Sequence, residues 1–243
     1  MDNRKSHWTR RDVLRMGGTA GAVLLCRPFS ALAADPAADV DHIIWAVSDL
    51  DKGIATIEEK TGVRAIIGGV HPGRGTRNAL ISLGDRHYLE ILSTDPDQPD
   101  VKDERTDFVK SLAQPQVMGW AAGTRNIADV EKGIREAKLE MVGPNAGSRK
   151  KPDGTMLKWT TIAVGGHDGT VVPFVIEWGK DTVHPSEDSP QGCKLTELQL
   201  AHPNPGDVNP FLEAMGLSIR ATEGSEPKTT AILDSPKGRV VLT

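Results

Sequence analysis

The segment HYLEIL at residues 87–92 sets a single carboxylate, Glu90, among residues that favour a β-strand. Alternate residues of a strand face the same side, so Glu90 shares a face with Tyr88 and Leu92, and neither face is a clean solvent face. Burying an unpaired carboxylate is costly, and the group would sooner lose its charge than stay ionised there. Three interpretations of Glu90 are open: an ordinary edge residue, the partner of a nearby arginine, or a ligand of a metal ion.

A glycine-rich segment upstream, GGVHPGRGTRN at residues 68–78, combines one histidine with two arginines. Arg74 and Arg77 could hold an anionic or carbonyl-bearing substrate, because a guanidinium group donates well to such oxygens. His71 could act as a general base, since imidazole titrates near neutral pH. Trp159 could form a wall of the same pocket, although indole rings in strands more often belong to the core. The alternative for this segment is a plain hairpin approach in which Arg77 pairs with an acidic neighbour.

These candidate residues lie in a unit that the sequence repeats about three times. In the first copy, the strand VDHIIWAV at residues 40–47 is followed by a helix and by strands that end with HYLEIL. The helix is predicted to start at Ser48, which with Asp51 three residues on resembles a capping box, and to end at Gly62. The second copy begins at VMGWAAGT and ends with VPFVIEW at residues 172–178.

The third copy is shorter and consists of one strand, one helix and a closing hairpin. The three copies together predict an α+β fold made of repeated βαβββ modules. We expect paired modules at residues 34–183, and a third βα-hairpin module at residues 184–243 that packs on the same domain.

Residues 1–33 are predicted to be an export signal. The chain begins with a basic stretch that contains Arg10-Arg11, continues with a modestly apolar stretch and reaches small residues at Ala31-Leu32-Ala33. The arginine pair followed by Asp-Val-Leu resembles a twin-arginine signal, which implies a periplasmic protein. A disordered basic tail and a lipoprotein anchor at Cys26 are the alternatives. Cleavage would leave Cys193 alone, so the exported domain would be held together by packing without an internal disulfide.

The composition limits the classes of partner. Apolar residues make up 38% of the chain and charged residues 26%, which is typical of a globular protein. The formal net charge of -4 gives no basic footprint for nucleic acid. No segment beyond the signal is long and apolar enough to predict a membrane span. We therefore expect a small-molecule substrate, with a homodimer as one assembly open to the chain.

Two segments carry a resemblance to a known family. GTRNALISLGDRHYLEIL at residues 75–92, and PFVIEWG at residues 173–179 followed by HP, resemble the glyoxalase-like branch of the vicinal oxygen chelate superfamily. This superfamily includes the glyoxalase and bleomycin-resistance proteins. The resemblance extends over residues 40–243, and it implies modules whose sheets curve into half-open barrels.

The resemblance also implies a metal site. In this superfamily the first and last strands of a module point ligands at a divalent metal, which chelates neighbouring oxygens of the substrate. Carried over residue by residue, this implies His42, Glu90 and Glu177 as ligands, a set that suits zinc, manganese or iron(II). The first strand of the second module, GWAAGT, offers no usual ligand, so His71 could supply the missing one. Taken singly, His42 could be a core histidine and Glu177 a residue at the strand edge.

The function that the resemblance implies is that of an exported metal-dependent enzyme, an isomerase or lyase. The metal would polarise a carbonyl or hydroxyl oxygen of a small substrate, and a base would move a proton on the adjacent carbon. The alternative is a metal-free protein that binds and sequesters small molecules, which the missing fourth ligand favours.

Overall fold

The computed structural model describes residues 39–101, 104–167 and 169–243. The predicted export signal, residues 1–33, lies outside these ranges. Within them the chain forms twelve β-strands and five α-helices. None of the helices in this described part is long and apolar enough to cross a lipid bilayer.

The elements follow the order that the repeated unit predicts. The first module contains β1 (Val40–Ala46), α1 (Leu50–Thr61), β2 (Ile66–His71), β3 (Thr76–Ser82) and β4 (Tyr88–Thr94). The connecting helix α2 (Glu104–Ser111) leads to β5 (Gln116–Thr124), α3 (Ile127–Glu136), β6 (Met141–Lys150), β7 (Met156–Val164) and β8 (Phe174–Trp178). The last part contains α4 (Pro185–Asp188), β9 (Lys194–His202), α5 (Pro205–Ala214), β10 (Thr222–Glu223), β11 (Lys228–Ser235) and β12 (Gly238–Leu242). The predicted α+β class of repeated βαβββ modules is confirmed.

The first two modules share one eight-stranded sheet in the order β2-β3-β4-β1-β5-β8-β7-β6. The first and last strands of each module pair in parallel, β1 with β4 and β5 with β8, and the modules join through the antiparallel pair β1–β5. The sheet curls until its two edge strands, β2 and β6, approach each other. This approach is visible at Gly69 of β2, where an added Cβ atom would lie 2.9 Å from the carbonyl oxygen of Lys150 in β6. This curvature gives the half-open barrel and encloses a concave face.

The two faces of the large sheet carry different residues because strand side chains alternate. On the convex face, Ile43, Leu89 and Val175 belong to the main apolar core together with residues of α1 and α3. On the concave face, His42 and Glu90 are buried among apolar side chains that lie outside that core. These apolar residues include Ile44, Leu80, Leu92, Leu157 and Ile176. A charged or polar residue on the concave face therefore faces the enclosed interior.

The helix starts agree with the sequence to within one residue. The N-cap of α1 is Asp49 rather than Ser48, since the Asp49 side chain accepts a hydrogen bond from the Lys52 backbone N–H at 3.1 Å. The helix ends as predicted at Gly62, whose φ of 79° is left-handed. In the second module Asn126 caps α3, and its side-chain amide donates a hydrogen bond to Asp129 at 2.7 Å.

The third module forms a separate four-stranded sheet in the order β10-β9-β11-β12. Its first strand, β9, pairs antiparallel with β11, whereas the first strand of each full module pairs in parallel with its last strand. The third copy thus repeats the βα start and the closing hairpin, with a different strand order. Apolar residues of β9 and α5, among them Leu198 and Leu212, join the same core as the convex face of the large sheet.

Candidate active site

Three side chains converge on the concave face of the first module. The parallel pairing of β1 and β4 brings the Nε2 atom of His42 to 3.7 Å from a carboxylate oxygen of Glu90. His71, at the end of β2, places its own Nε2 atom 3.6 Å from the other oxygen of Glu90. His42 and Glu90 are buried, and His71 is partly buried. The site therefore presents two imidazoles on either side of one carboxylate.

The His42 ring is held from both sides. Its Nδ1 atom lies 2.7 Å from Asp41 Oδ1, so Nδ1 carries a proton and donates it, and Nε2 faces Glu90. The ring of Tyr88 stacks on it, with centroids 4.5 Å apart and planes 22° from parallel. Burial raises the pKa of the Tyr88 hydroxyl well above its ordinary value, so this ring is a neutral packing partner. A register shift in the β1–β5 pairing falls at Asp41, and such an irregularity can re-aim neighbouring side chains.

Asp41 links three elements through one carboxylate. Its second oxygen accepts hydrogen bonds from the indole N–H of Trp178 at 2.9 Å and from Nε2 of His184 at 3.1 Å. The other ring nitrogen of His184 accepts from the backbone N–H of Ser186, which assigns the proton to Nε2. Burial by itself opposes ionisation of Asp41, but the hydrogen bonds from His184 and His42 outweigh it and hold its pKa well below the usual range.

Glu90 is also oriented by a second layer of side chains. The amide nitrogen of Asn78 donates to Glu90 Oε1 at 2.6 Å, and the amide oxygen of Asn78 accepts from Nη1 of Arg149 at 3.2 Å. Burial favours the neutral acid, but the nearby imidazoles of His71 and His42 and the Asn78 hydrogen bond outweigh it, so the pKa of Glu90 is lowered. Glu90 is therefore an ionised carboxylate in the interior.

The surroundings of His71 favour the neutral form of its ring. Burial lowers its pKa below 6.5, and the neighbouring charge of Glu90 only partly offsets this effect. Its Nδ1 atom lies 2.9 Å from the Thr76 hydroxyl, and donation to that oxygen leaves Nε2 as the acceptor that faces Glu90. His42 and His71 thus present the same tautomer toward the same carboxylate.

The donor set fits a divalent metal ion in its chemistry. Two neutral imidazoles and one carboxylate are ligands that zinc and iron(II) accept. The separations of 3.6 and 3.7 Å are too long for hydrogen bonds. They slightly exceed the spacing of about 3.4 Å that tetrahedral geometry gives for zinc–ligand bonds of about 2.1 Å. Within the described ranges, no group of three or more His, Cys, Asp or Glu is arranged to hold a metal ion in this structure.

Glu177 does not join this cluster. Its strand neighbours Phe174 and Trp178 face the concave side, since the Phe174 ring lies 5.6 Å from the ring of His42 and Trp178 bonds Asp41. Glu177 alternates with Trp178 and shares its face with Val175, which belongs to the convex core. Strand alternation therefore places Glu177 on the opposite face of the sheet from His42 and Glu90, so these three residues do not converge as predicted. His71 is the third side chain of the cluster instead.

The two arginines of the glycine-rich segment also lie away from the cluster. Arg74 is exposed in the turn after His71. Arg77 alternates with Asn78 and shares its face with the core residue Ala79, and its Nε atom is buried without a hydrogen-bond partner in the described part of the chain. Asn78 and His71 are the residues of this segment that reach the concave site.

Trp159 lies on the concave wall beside Trp178. The two ring centroids are 5.6 Å apart and the planes are at 62°. The Trp159 ring covers Gly147 on the neighbouring strand, where an added Cβ atom would lie 2.3 Å from the indole nitrogen. Its predicted position as a wall residue agrees with this placement, and its role in substrate binding stays a prediction.

Asp41, Asn78 and Arg149 are site residues that the sequence did not reveal. Asp41 could have been found from its position, because a second polar residue directly before His42 in an apolar strand needs a hydrogen-bond partner once it is buried. Asn78 could have been found by counting back along the hairpin from Glu90. No local signal distinguishes Arg149, which arrives from the second module.

A cavity of about 820 Å³ is lined by Ile44 and Phe174 of the concave face and by Arg105 and Phe108 of α2. Most of its other lining residues come from β5, from the segment before β8 and from β11 of the third module. His42, Glu90 and His71 are not among its lining residues. The cavity therefore offers space for a ligand at one end of the concave face and not over the donors.

The three shifted groups predict loss of stability in acid. Because the pKa of His71 is lower in the folded chain than in the unfolded chain, the unfolded chain protonates this imidazole first as the pH falls. The free energy of unfolding therefore decreases as the pH falls through 6.5. The stability from the lowered pKa values of Asp41 and Glu90 is present above the ordinary carboxyl range and is lost as the pH falls toward their folded values.

Urea unfolding of EDTA-treated protein from about pH 8 to about pH 4 measures this dependence. His71→Gln is expected to flatten the upper part of the curve and to leave the lower part. An identical upper part in the variant would contradict the assignment.

The comparisons with known proteins agree with this architecture. A family model described as a glyoxalase-like domain matches residues 40–216. A hypothetical protein from Staphylococcus aureus superposes with a TM-score of 0.61 at 18% identity, over 78% of this chain and 87% of that chain. Methylmalonyl-CoA epimerase from Mycobacterium tuberculosis aligns with a TM-score of 0.44 at 18% identity, over 61% of this chain and 93% of that chain. A search of curated proteins gives no significant match.

The structural likeness at this identity concerns the fold alone, whereas the family model covers most of the chain. The resemblance that the segments around Glu90 and Glu177 carry is confirmed. The chain belongs to the glyoxalase-like domain family, within the vicinal oxygen chelate superfamily.

Proposed function

We propose that this protein is a metal-dependent enzyme of the vicinal oxygen chelate type that isomerises or cleaves a small substrate bearing a carbonyl or hydroxyl group. The observation that carries the proposal is the convergence of His42, His71 and Glu90 on the concave face, in a chain of this family. Imidazole nitrogens and an ionised carboxylate are donors that metal binding uses.

In this proposal, His42 and His71 hold the ion through Nε2 and Glu90 holds it through its carboxylate. Zinc, manganese and iron(II) all remain suitable ions for these donors. A bound divalent ion supplies polarisation of a carbonyl or hydroxyl oxygen of the substrate and stabilises negative charge on it.

The other residues of the site orient these donors and limit access of water. Asp41 fixes the His42 tautomer, and Asn78 fixes one oxygen of Glu90. Apolar side chains such as Ile44 and Leu80 line the same face and lower the local dielectric, which strengthens electrostatic interactions with a developing charge.

A metal-free small-molecule binding protein is the second candidate. The cavity of about 820 Å³ beside the concave face favours it, because this volume lies in the range of ordinary ligand sites. In that case the buried polar cluster would orient a ligand by hydrogen bonds, with the aromatic wall of Trp159 and Trp178 giving contact area.

Metal analysis combined with proton exchange separates the two functions. The chain without residues 1–33 is loaded with zinc, manganese or iron(II) in turn, and bound metal is measured after removal of the excess. We expect about one ion per chain. With that ion present, hydrogen next to the carbonyl of a panel of hydroxy-ketones should exchange in D₂O, as followed by NMR, and EDTA should stop the exchange. Ligand binding without stoichiometric loading by any of these ions would favour the binding protein.

Export to the periplasm by the twin-arginine route remains a prediction from residues 1–33. The arginine pair and the small residues at the proposed cleavage site support it. We therefore place the proposed activity outside the cytoplasm, on a domain that begins near Ala34.

A further inference from the structure

Arg149 is a buried guanidinium group without a carboxylate partner. Its side chain belongs to a residue that is 3% exposed. No ion pair within 4.0 Å joins it to an Asp or Glu in the parts of the chain that the structure describes. Its one hydrogen bond in the same ranges goes from Nη1 to the amide oxygen of Asn78. A guanidinium keeps its charge and has several more N–H donors than this one hydrogen bond uses, so it has donors left for an anion in direct contact.

The fold makes room for Arg149 at a specific place. A Cβ atom at Gly68 would lie 2.7 Å from Nη1 of Arg149, and one at Gly69 would lie 3.2 Å from the same atom. Only glycine leaves space for the guanidinium against the β2 backbone. The approach of the β2 and β6 edges therefore carries a charged group of the second module into the first.

The guanidinium faces the interior of the half-open barrel. Arg149 pairs across the strands with Leu157, and it reaches Glu90 through Asn78, whose amide donates to that carboxylate at 2.6 Å. Its charge contributes to lowering the pKa of both Glu90 and His71. Among the described residues, the side-chain nitrogens that are both fully buried and without a hydrogen-bond partner include Nε of Arg77. No nitrogen of Arg149 is among them, so the unused donors of Arg149 keep contact with accessible space.

We propose that Arg149 is the receptor for an oxyanion of the ligand, a carboxylate or a phosphate, bound next to His42, His71 and Glu90. The planar fork of the guanidinium donates two parallel hydrogen bonds to such a group. The substrate is then an anionic carbonyl or hydroxyl compound rather than a neutral one. This inference rests on the proposed function, in which a metal ion binds the carbonyl or hydroxyl oxygen of the same substrate.

Anion binding by the metal-free protein tests the inference independently of the metal. EDTA-treated protein is titrated calorimetrically with acetate and with inorganic phosphate at constant ionic strength. Arg149→Met is expected to weaken binding of the preferred anion at least about tenfold, because a charge-assisted pair is lost. Arg239→Met removes an exposed arginine of the small sheet and is expected to bind as the unchanged chain does. Circular dichroism verifies that each variant is folded.

Arg149→Lys is the second variant, and it decides the matter if Arg149→Met does not fold. It keeps the charge and loses the fork, so an intermediate affinity is expected. Preference for acetate identifies a carboxylate, and preference for phosphate identifies a phosphate. Absence of binding of both anions, or unchanged affinity in Arg149→Met or Arg149→Lys, would overturn the inference.

Zinc binding is measured on the same preparations. Zinc binding without Arg149-dependent anion binding would leave the proposed function and remove the inference. Anion binding that depends on Arg149, without zinc binding, would leave the inference and remove the proposed function.

Discussion

Glu90→Gln is expected to lower the affinity for zinc by about 100-fold or more, while Glu177→Gln leaves it within about twofold. Glu90 is an ionised, buried carboxylate between two imidazoles, and glutamine keeps its shape but removes the charge. Loss of an outer-sphere partner of a metal ligand already costs about 10- to 100-fold, so loss of a charged ligand should cost at least the upper end of that range.

Glu177→Gln is the matched control, because both positions were predicted as ligands and only Glu90 lies in the cluster. Zinc affinity is measured by competition with a chromophoric chelator at fixed pH, and zinc content is measured after gel filtration. Loss of zinc in Glu177→Gln with retention in Glu90→Gln would reverse the assignment. Equal retention in both variants would remove the carboxylate from the proposed metal site altogether.

Asp41→Ala is expected to reduce the free energy of unfolding by about 3–5 kcal/mol, because it removes a buried charged acceptor whose hydrogen bonds contribute about 1.5–3 kcal/mol each and are not fully additive. Asp41 accepts hydrogen bonds from His42, His184 and Trp178, and its removal leaves three donors without an acceptor in the interior. The alanine also leaves a gap where β1, β8 and the start of α4 meet. Urea unfolding of the metal-free chain at pH near 7.5 gives the difference.

Two further variants separate the charge of Asp41 from its packing. Asp41→Asn keeps the shape but replaces one acceptor oxygen with a donor, and an intermediate loss is expected. Asp181→Ala, at an exposed turn, is expected to change stability by less than about 0.5 kcal/mol. Zinc affinity should also fall by about 10- to 100-fold in Asp41→Asn, because His42 loses the acceptor that fixes its tautomer. Unchanged stability in Asp41→Ala would contradict the role of this carboxylate as a buried anchor.

The modular fold could be predicted from the sequence because its signals are local. Alternating apolar residues marked β1 and β4, and a polar cap with an apolar stripe marked α1 and α3. The one-residue error at the start of α1 has the same local origin, since Ser48 and Asp49 are both good caps and only the backbone geometry distinguishes them. The family segments added the curvature of the sheet, which periodicity alone does not give.

The meeting of His42 with Glu90 could also be predicted, because the first and last strands of a module pair side by side and both residues lie on the same face. The prediction failed for Glu177, which has the right residue type in an equivalent strand. A difference of one position along a strand moves a side chain to the other face of the sheet. Trp178, the next residue, is the one that turns toward the site.

The sequence by itself thus determined the repeated modules and the family, and it singled out His42, Glu90 and His71, the three side chains of the buried cluster. Only the tertiary structure decided which other polar residues surround Glu90. Arg149 reaches it because the curled sheet brings its two edges together over Gly68 and Gly69, and Asp41 meets His184 because α4 returns to β1. These contacts join residues far apart in the chain, and their geometry follows from sheet curvature and strand register, which no short segment encodes.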